Sequence, residues 1–310
     1  MNRFALMLAI AMATIVFCTP GRTARGADKS AAPVASVPAA QGLNWSLQLP
    51  ADEKVPFSGV ANFDGSGMST GSMMYPAPNA IGLLAAVLTH AAIMKSTRNA
   101  QKTKIQKDAD KVLGPYQPVL DGFHTNALME RGLSLTSSGT ARQLLQEGQD
   151  DHQGWLVLST PSYAMTQDQS TLVLDNIVEI YAPNERKKAS YVNTVRVISS
   201  ARQEQDMMTY WTRDQGNPLK EESARLLAAS LDIAIADASR AKADAPFKTV
   251  RYQEGHAERM ERGQLIDEQC GRVLLRSLRG TLMSAPAKMD ETAAPSPTCG
   301  DQTANAAQSL

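Results

Sequence analysis

The sequence predicts an α+β domain, in which a mixed, largely antiparallel sheet with a three-stranded meander (about 154–201) packs against a long helix (79–113) and a second helix (218–241). Three observations carry that prediction. From Gly154 the runs WLVLSTPSYAM, STLVLDNIVEIYAP and ASYVNTVRVISSA are rich in β-branched residues and separated by the polar stretches TQDQ and NERKK, the pattern of a meander. An unbroken apolar run, Ala80 to Met94, passes directly into a basic segment ending near Leu113. Asn217 followed by Pro218 is an N-cap with proline at the first helical position, and PLKEESARLLAASLDIAIADASR follows it.

In chain order, residues 1–26 read as a secretory signal peptide: a positive start at Arg3, an apolar core from Phe4 to Phe17, and small residues Ala24 and Gly26 at the exit. The expected localisation is therefore the periplasm or cell envelope. Lipidation of Cys18 is disfavoured, because Phe17 stands where such processing needs a small residue. Three of the 31 basic residues (Arg3, Arg22, Arg25) lie in the leader, leaving 28 against 31 acidic in the processed chain. That mildly acidic balance excludes a strongly basic nucleic-acid binder. Residues 27–42 are mostly Ala, Pro and Ser and predict a disordered linker. Residues 285–310 have the same composition and predict a disordered tail, with a single domain over 43–284 between them. Processing leaves Cys270 and Cys299, which in an oxidising compartment predict a disulfide.

Within the domain, Val55–Asp64 reads as a strand and Gly65–Pro78 as a loop leading to Asn79, the N-cap of the long helix. Gly114 and Pro115 are its expected stop. Residues 116–150 read as short helices, TARQLLQEGQ among them. The middle β run is apolar on both faces, with Leu172, Leu174, Val178 and Ile180 on one and Val173, Ile177 and Tyr181 on the other. It is thus a central strand covered on both sides, with the long helix as expected cover. Leu226, Leu227, Ala234 and Ile235 are the expected core face of the second helix. FKTVRY is a strand. Residues 263–283 fit a helix with Arg272, Arg276 and Arg279 on one face, or a hairpin turning at Cys270 and Gly271. The glycines at 263, 271 and 280 favour the hairpin.

Chemical motifs are sparse. Gly67-Met68-Ser69-Thr70-Gly71 fits the G-x-S-x-G elbow of serine hydrolases, with Asp175 or Glu179 and then His256 as partners, yet the following helix begins too late for a strand–turn–helix elbow. Neither this loop nor any other carries a phosphate-binding signature, and no cofactor is expected. Asp121 with His124, and Asp150, Asp151 and His152, lack the paired spacing of metal ligands, so no metal is expected either. Lys95, Arg98 and Lys102 on the long helix, with Arg272, Arg276 and Arg279, form the expected partner surface. These features predict an exported, non-enzymatic protein that binds a protein or other envelope component. A secreted hydrolase using Ser69 is the first alternative. A peripheral membrane protein using helix 79–113 is the second, although fifteen apolar residues fall short of a span.

Overall fold

The computed structural model describes residues 37–38, 43–62, 97–149, 153–240 and 245–288. They form a mixed α+β fold built on a ten-stranded sheet. Its strands are β1 (Asn44–Gln48), β2 (Phe57–Gly59), β3 (Ala141–Leu145), β4 (Trp155–Met165), β5 (Leu172–Tyr181), β6 (Tyr191–Ile198), β7 (Phe247–Glu254), β8 (Ala257–Gln269), β9 (Arg272–Ser277) and β10 (Leu282–Pro286). The helices are α1 (Thr97–Ala109), α2 (Gln117–Asp121), α3 (Thr125–Leu135) and α4 (Met207–Ala238), with a 3-10 segment, Asp110–Tyr116, between α1 and α2. The order across the sheet is β3-β1-β4-β5-β6-β10-β9-β8-β7, and β2 pairs with the far end of β4.

The meander forms as its pattern predicts, with β4, β5 and β6 antiparallel. β5 is the central strand, and its two faces divide as the alternation of side chains requires. Leu172, Leu174, Val178 and Ile180 enter the main core with Trp45, Leu47, Val157, Tyr163, Leu226, Leu227, Leu231 and Ile235. Each fully buried Leu or Ile contributes roughly 1.5–3 kcal/mol, so this interface dominates the fold. α4 lies on it: Leu226, Leu227, Ala234 and Ile235 are all buried, and Asn176 of β5 donates to Ser230 Oγ of α4 at 2.8 Å. The polar members of this interface are paired, as burial demands, because Ser159 Oγ donates to Asn176 Oδ1 at 2.9 Å.

On the opposite face of β5, Val173 packs with Ile198, Tyr252, Val273, Leu275, Met283 and Ala285 in a smaller second core, so among the described residues the cover near Val173 comes from the returning strands β7–β10. Of residues 79–113, those up to 96 lie outside the described residues. The described remainder, α1 and the 3-10 segment, lies against β2. Gly114 and Pro115 do not end this element: both sit inside the 3-10 segment, which runs on into α2.

Two further expectations change. TARQLLQEGQ is not a helix. Ala141–Leu145 is strand β3, paired in parallel with β1; helix-favouring Arg, Gln and Leu are overridden by that pairing. β1 itself, Asn44–Gln48, lies in parallel between β3 and β4. The predicted tail begins too early, since Ala285 is buried and β10 runs through Pro286.

The second helix extends N-terminally to Met207, but Arg213–Gly216 leave helical geometry, with Asp214, Gln215 and Gly216 all at positive φ, before Asn217 and Pro218 restart it. Residues 263–283 form strands. β8 and β9 meet in a two-residue turn at Cys270 (φ 52°) and Gly271 (φ 67°), the left-handed pair that matches strand twist in a tight hairpin. An antiparallel bridge from Tyr252 to Ala287 joins β7 to the residue after β10, which curls the last four strands over the second core.

Candidate functional site

A cavity of about 430 Å³ opens where three segments meet: the end of β2 (Val60, Asn62), the β4–β5 turn (Thr166, Gln167, Asp168) and the β7–β8 hairpin (Glu254, His256, Ala257, Arg259). The β4–β5 turn organises it. Thr166–Ser170 is a short polar link between two β runs, and its side chains reach four different parts of the molecule. Gln167 Nε2 donates to Val60 O at 3.0 Å and to Ala109 O at 3.1 Å, fastening the ends of β2 and α1. Gln169, held at φ 61°, accepts from Trp211 Nε1 through its carbonyl at 2.7 Å and from the Tyr116 hydroxyl through its side chain. Burial, with Asp206 nearby, pushes the Tyr116 hydroxyl up to about 12, so it stays a donor across the ordinary pH range.

Asp168 is the centre of the turn. Its Oδ1 accepts from Thr166 Oγ1 (2.6 Å), Ser170 N (3.0 Å) and Ser170 Oγ (2.8 Å). Its Oδ2 accepts from the His256 backbone N–H (2.9 Å) and lies 2.8 Å from His256 Nδ1. Partial burial alone would raise the Asp168 pKa. The hydrogen bonds from Thr166, Ser170 and the His256 backbone outweigh it and hold the carboxyl well below the usual carboxylate range. Because Asp168 is an ionised acceptor, Nδ1 carries the proton of a neutral His256 and Nε2 keeps its lone pair. The approach depends on Gly255: at φ +63°, a Cβ there would lie 2.5 Å from Asp168 Oδ2. Beside the pair, Glu254 faces Arg259 across 3.6 Å.

The arrangement is an oriented acid–histidine pair at the edge of an open concavity, able to bind hydrogen-bonding groups or to accept a proton from one. The sequence singles out His256 but misses Asp168. The available signal is the T-x-D-x-S turn between two strands, whose hydroxyls at both flanks are suited to close on an aspartate. Asp175 and Glu179, the acids expected beside His256, are engaged elsewhere. Arg196 holds Asp175 through Nε (2.7 Å) and Nη2 (2.6 Å), and the Tyr181 hydroxyl donates to Glu179 at 2.5 Å.

The remaining predicted residues are scattered. Ser69, Lys95, Cys299, Asp150, Asp151 and His152 lie outside the described residues. Arg98 and Lys102 are on α1, and Lys102 is not among the residues that line the cavity. Cys270 occupies the β8–β9 turn, and its pairing with Cys299 lies outside the described residues. Arg272 is turned inward, donating through Nη2 to Ile198 O (2.7 Å) and Ser284 O (3.2 Å). Arg276 pairs with Asp237 of α4. These two are therefore fastenings between elements, while Arg279 sits in the turn before β10. Asp121 accepts from Lys54 at 2.8 Å, and His124 Nδ1 lies 3.7 Å from Asp52. Among the described residues no group of three or more His, Cys, Asp or Glu is placed to hold a metal ion, and no helix is long and apolar enough to cross a membrane. No family model matches the chain, and neither a curated protein nor a solved structure matches it.

Proposed function

We propose that the protein is an exported, non-enzymatic component of the cell envelope that binds another envelope component through the cavity beside Asp168 and His256. The observation that carries this reading is the preorganisation of Asp168, whose five donors fix the histidine and the walls around it before any ligand arrives. A site rigid in the free state loses less entropy on binding. Export rests on the leader-like first 26 residues.

The test is photo-crosslinking in the intact envelope from a reactive residue placed at Ala257, an exposed position on the cavity wall. A reproducible adduct, reduced when His256 is changed to Ala, is the expected result. Absence of any adduct counts against the reading.

A second reading keeps the G-x-S-x-G motif. The chain order Ser69, Asp168, His256 is that of the nucleophile–acid–base series in hydrolases with such an elbow, and the Asp168–His256 pair supplies the oriented base that series needs. Labelling by a fluorophosphonate probe, abolished by Ser69→Ala and weakened by His256→Ala, separates this reading from the first.

A further inference from the structure

Three groups at the cavity retain hydrogen-bond accepting capacity. Gln167 commits its amide nitrogen to two backbone carbonyls, which turns the choice of amide orientation and leaves Oε1 as the group able to meet a ligand. In the neutral imidazole, the contact of Nδ1 with Asp168 leaves the lone pair on His256 Nε2. Glu254 has four lone-pair sites, and its partner Arg259 Nε stands 3.6 Å away. A ligand for these groups must donate hydrogen bonds.

Charge narrows the choice further. Asp168 already accepts from five donors, so an ammonium finds no open lone pairs there. Glu254 is opposed by Arg259, so its charge is compensated within the cavity. An anion would meet acceptors at all three groups. A neutral molecule with several hydroxyls can donate to Gln167 Oε1, His256 Nε2 and Glu254 together without breaking either acid's existing contacts, and each added bond to a charged acceptor is the stronger kind. About 430 Å³ lies within the range of small-molecule sites.

We infer that the cavity lined by Gln167, Glu254 and His256 binds a neutral, polyhydroxylated ligand of the saccharide class. The inference rests on the proposed binding role of this cavity and names the chemistry it recognises.

The test is titration of the purified protein with chitobiose, trehalose and myo-inositol, with methylammonium chloride and sodium acetate as charged comparators, followed by calorimetry and by amide shifts of Gln167, Asp168 and His256. The expected result is saturable binding of at least one polyol, shifts confined to the cavity, and affinity weakened tenfold or more by Glu254→Leu. Glu254→Gln, which keeps the side chain's shape but exchanges one acceptor for a donor, is expected to weaken it severalfold, with an unchanged melting profile showing that the fold is intact. Saturable binding of neither chitobiose, trehalose nor myo-inositol, preference for either ion, or indifference to both Glu254 variants overturns the inference. If the Ala257 crosslink forms in the envelope while no polyol titrates, the ligand class falls and the binding site stands. If neither is seen, both fall.

Discussion

The two cores of this molecule are held by different physics. Between β4–β6 and α4, burial is nearly complete and apolar: Trp45, Trp211, Leu174, Leu227, Leu231 and Ile235 are inaccessible or almost so. Over the other face, the strands β7–β10 enclose far fewer apolar side chains, and charged side chains on both faces of the sheet fasten these strands and β6 to their neighbours. Arg196 grips Asp175, Arg272 reaches Ile198 O and Ser284, and Arg276 reaches Asp237 on α4. A hydrophobic core is tolerant of direction, whereas a charged fastening holds one geometry and fails when a partner is removed. The cavity lies on the second region's side of the β4–β5 turn, where geometry matters more than gross stability.

That contrast can be broken at the apolar core first. Trp211→Ala removes a fully buried indole and its bond to Gln169 O, and is expected to cost about 3–5 kcal/mol, read as a loss of global stability in denaturant unfolding. Arg272→Leu comes next. It strands the carbonyls of Ile198 and Ser284 at an expected cost of about 1–3 kcal/mol. Hydrogen exchange should show β9 and β10 loosened while α4 keeps its protection; equal loosening of α4 would mean that the two regions are one cooperative unit.

Asp168→Asn tests the turn through pH. The folded carboxyl lies below its ordinary value, so its stabilising contribution is complete above the unfolded pKa of about 3.9. It disappears as pH falls through the lower folded value. The variant should therefore melt lower than the parent at neutral pH, with the gap closing on acidification below about pH 4. A gap that stays constant from pH 7 to pH 3 would count against ionised Asp168 as the centre of the clasp. The smallest effect is expected for Arg251→Ala, whose partner Glu258 is on the exposed β7–β8 ribbon. A change within about 1 kcal/mol in thermal melts fits a surface pair.

The apolar core was the legible part of the sequence. Alternation along Leu172–Tyr181 gave both faces of β5, and Leu226, Leu227, Ala234 and Ile235 gave the buried stripe of α4, because water sorts side chains by the same period that the backbone imposes. The hairpin at Cys270 and Gly271 was legible through turn chemistry. β3 was not, because Ala141–Leu145 carries helix-forming residues and becomes a strand only through a partner 97 positions away in sequence, as the registered pair Asn44 and Ala141 shows. The site was half legible for the same reason. His256 stands out as one of four histidines, but Asp168 looks like any turn aspartate until a residue 88 positions later folds onto it. The expected arginine face failed for a different reason: spacing along a strand places Arg272 and Arg276 on a common side without saying whether that side meets solvent or other backbone.

The β4–β5 turn also sets an order of assembly. Its hairpin strands β4 and β5 are local and can pair early, and Gln169 can meet Trp211 once 42 more residues are available. The clasp on His256 must wait for 88. During synthesis at roughly 5–20 residues per second, that is a delay of about 4–18 s in which Asp168 has only Thr166 and Ser170 for company. The cavity is therefore among the last parts of the chain to exist, and a protein interrupted before β7 would carry a well-packed core with no site.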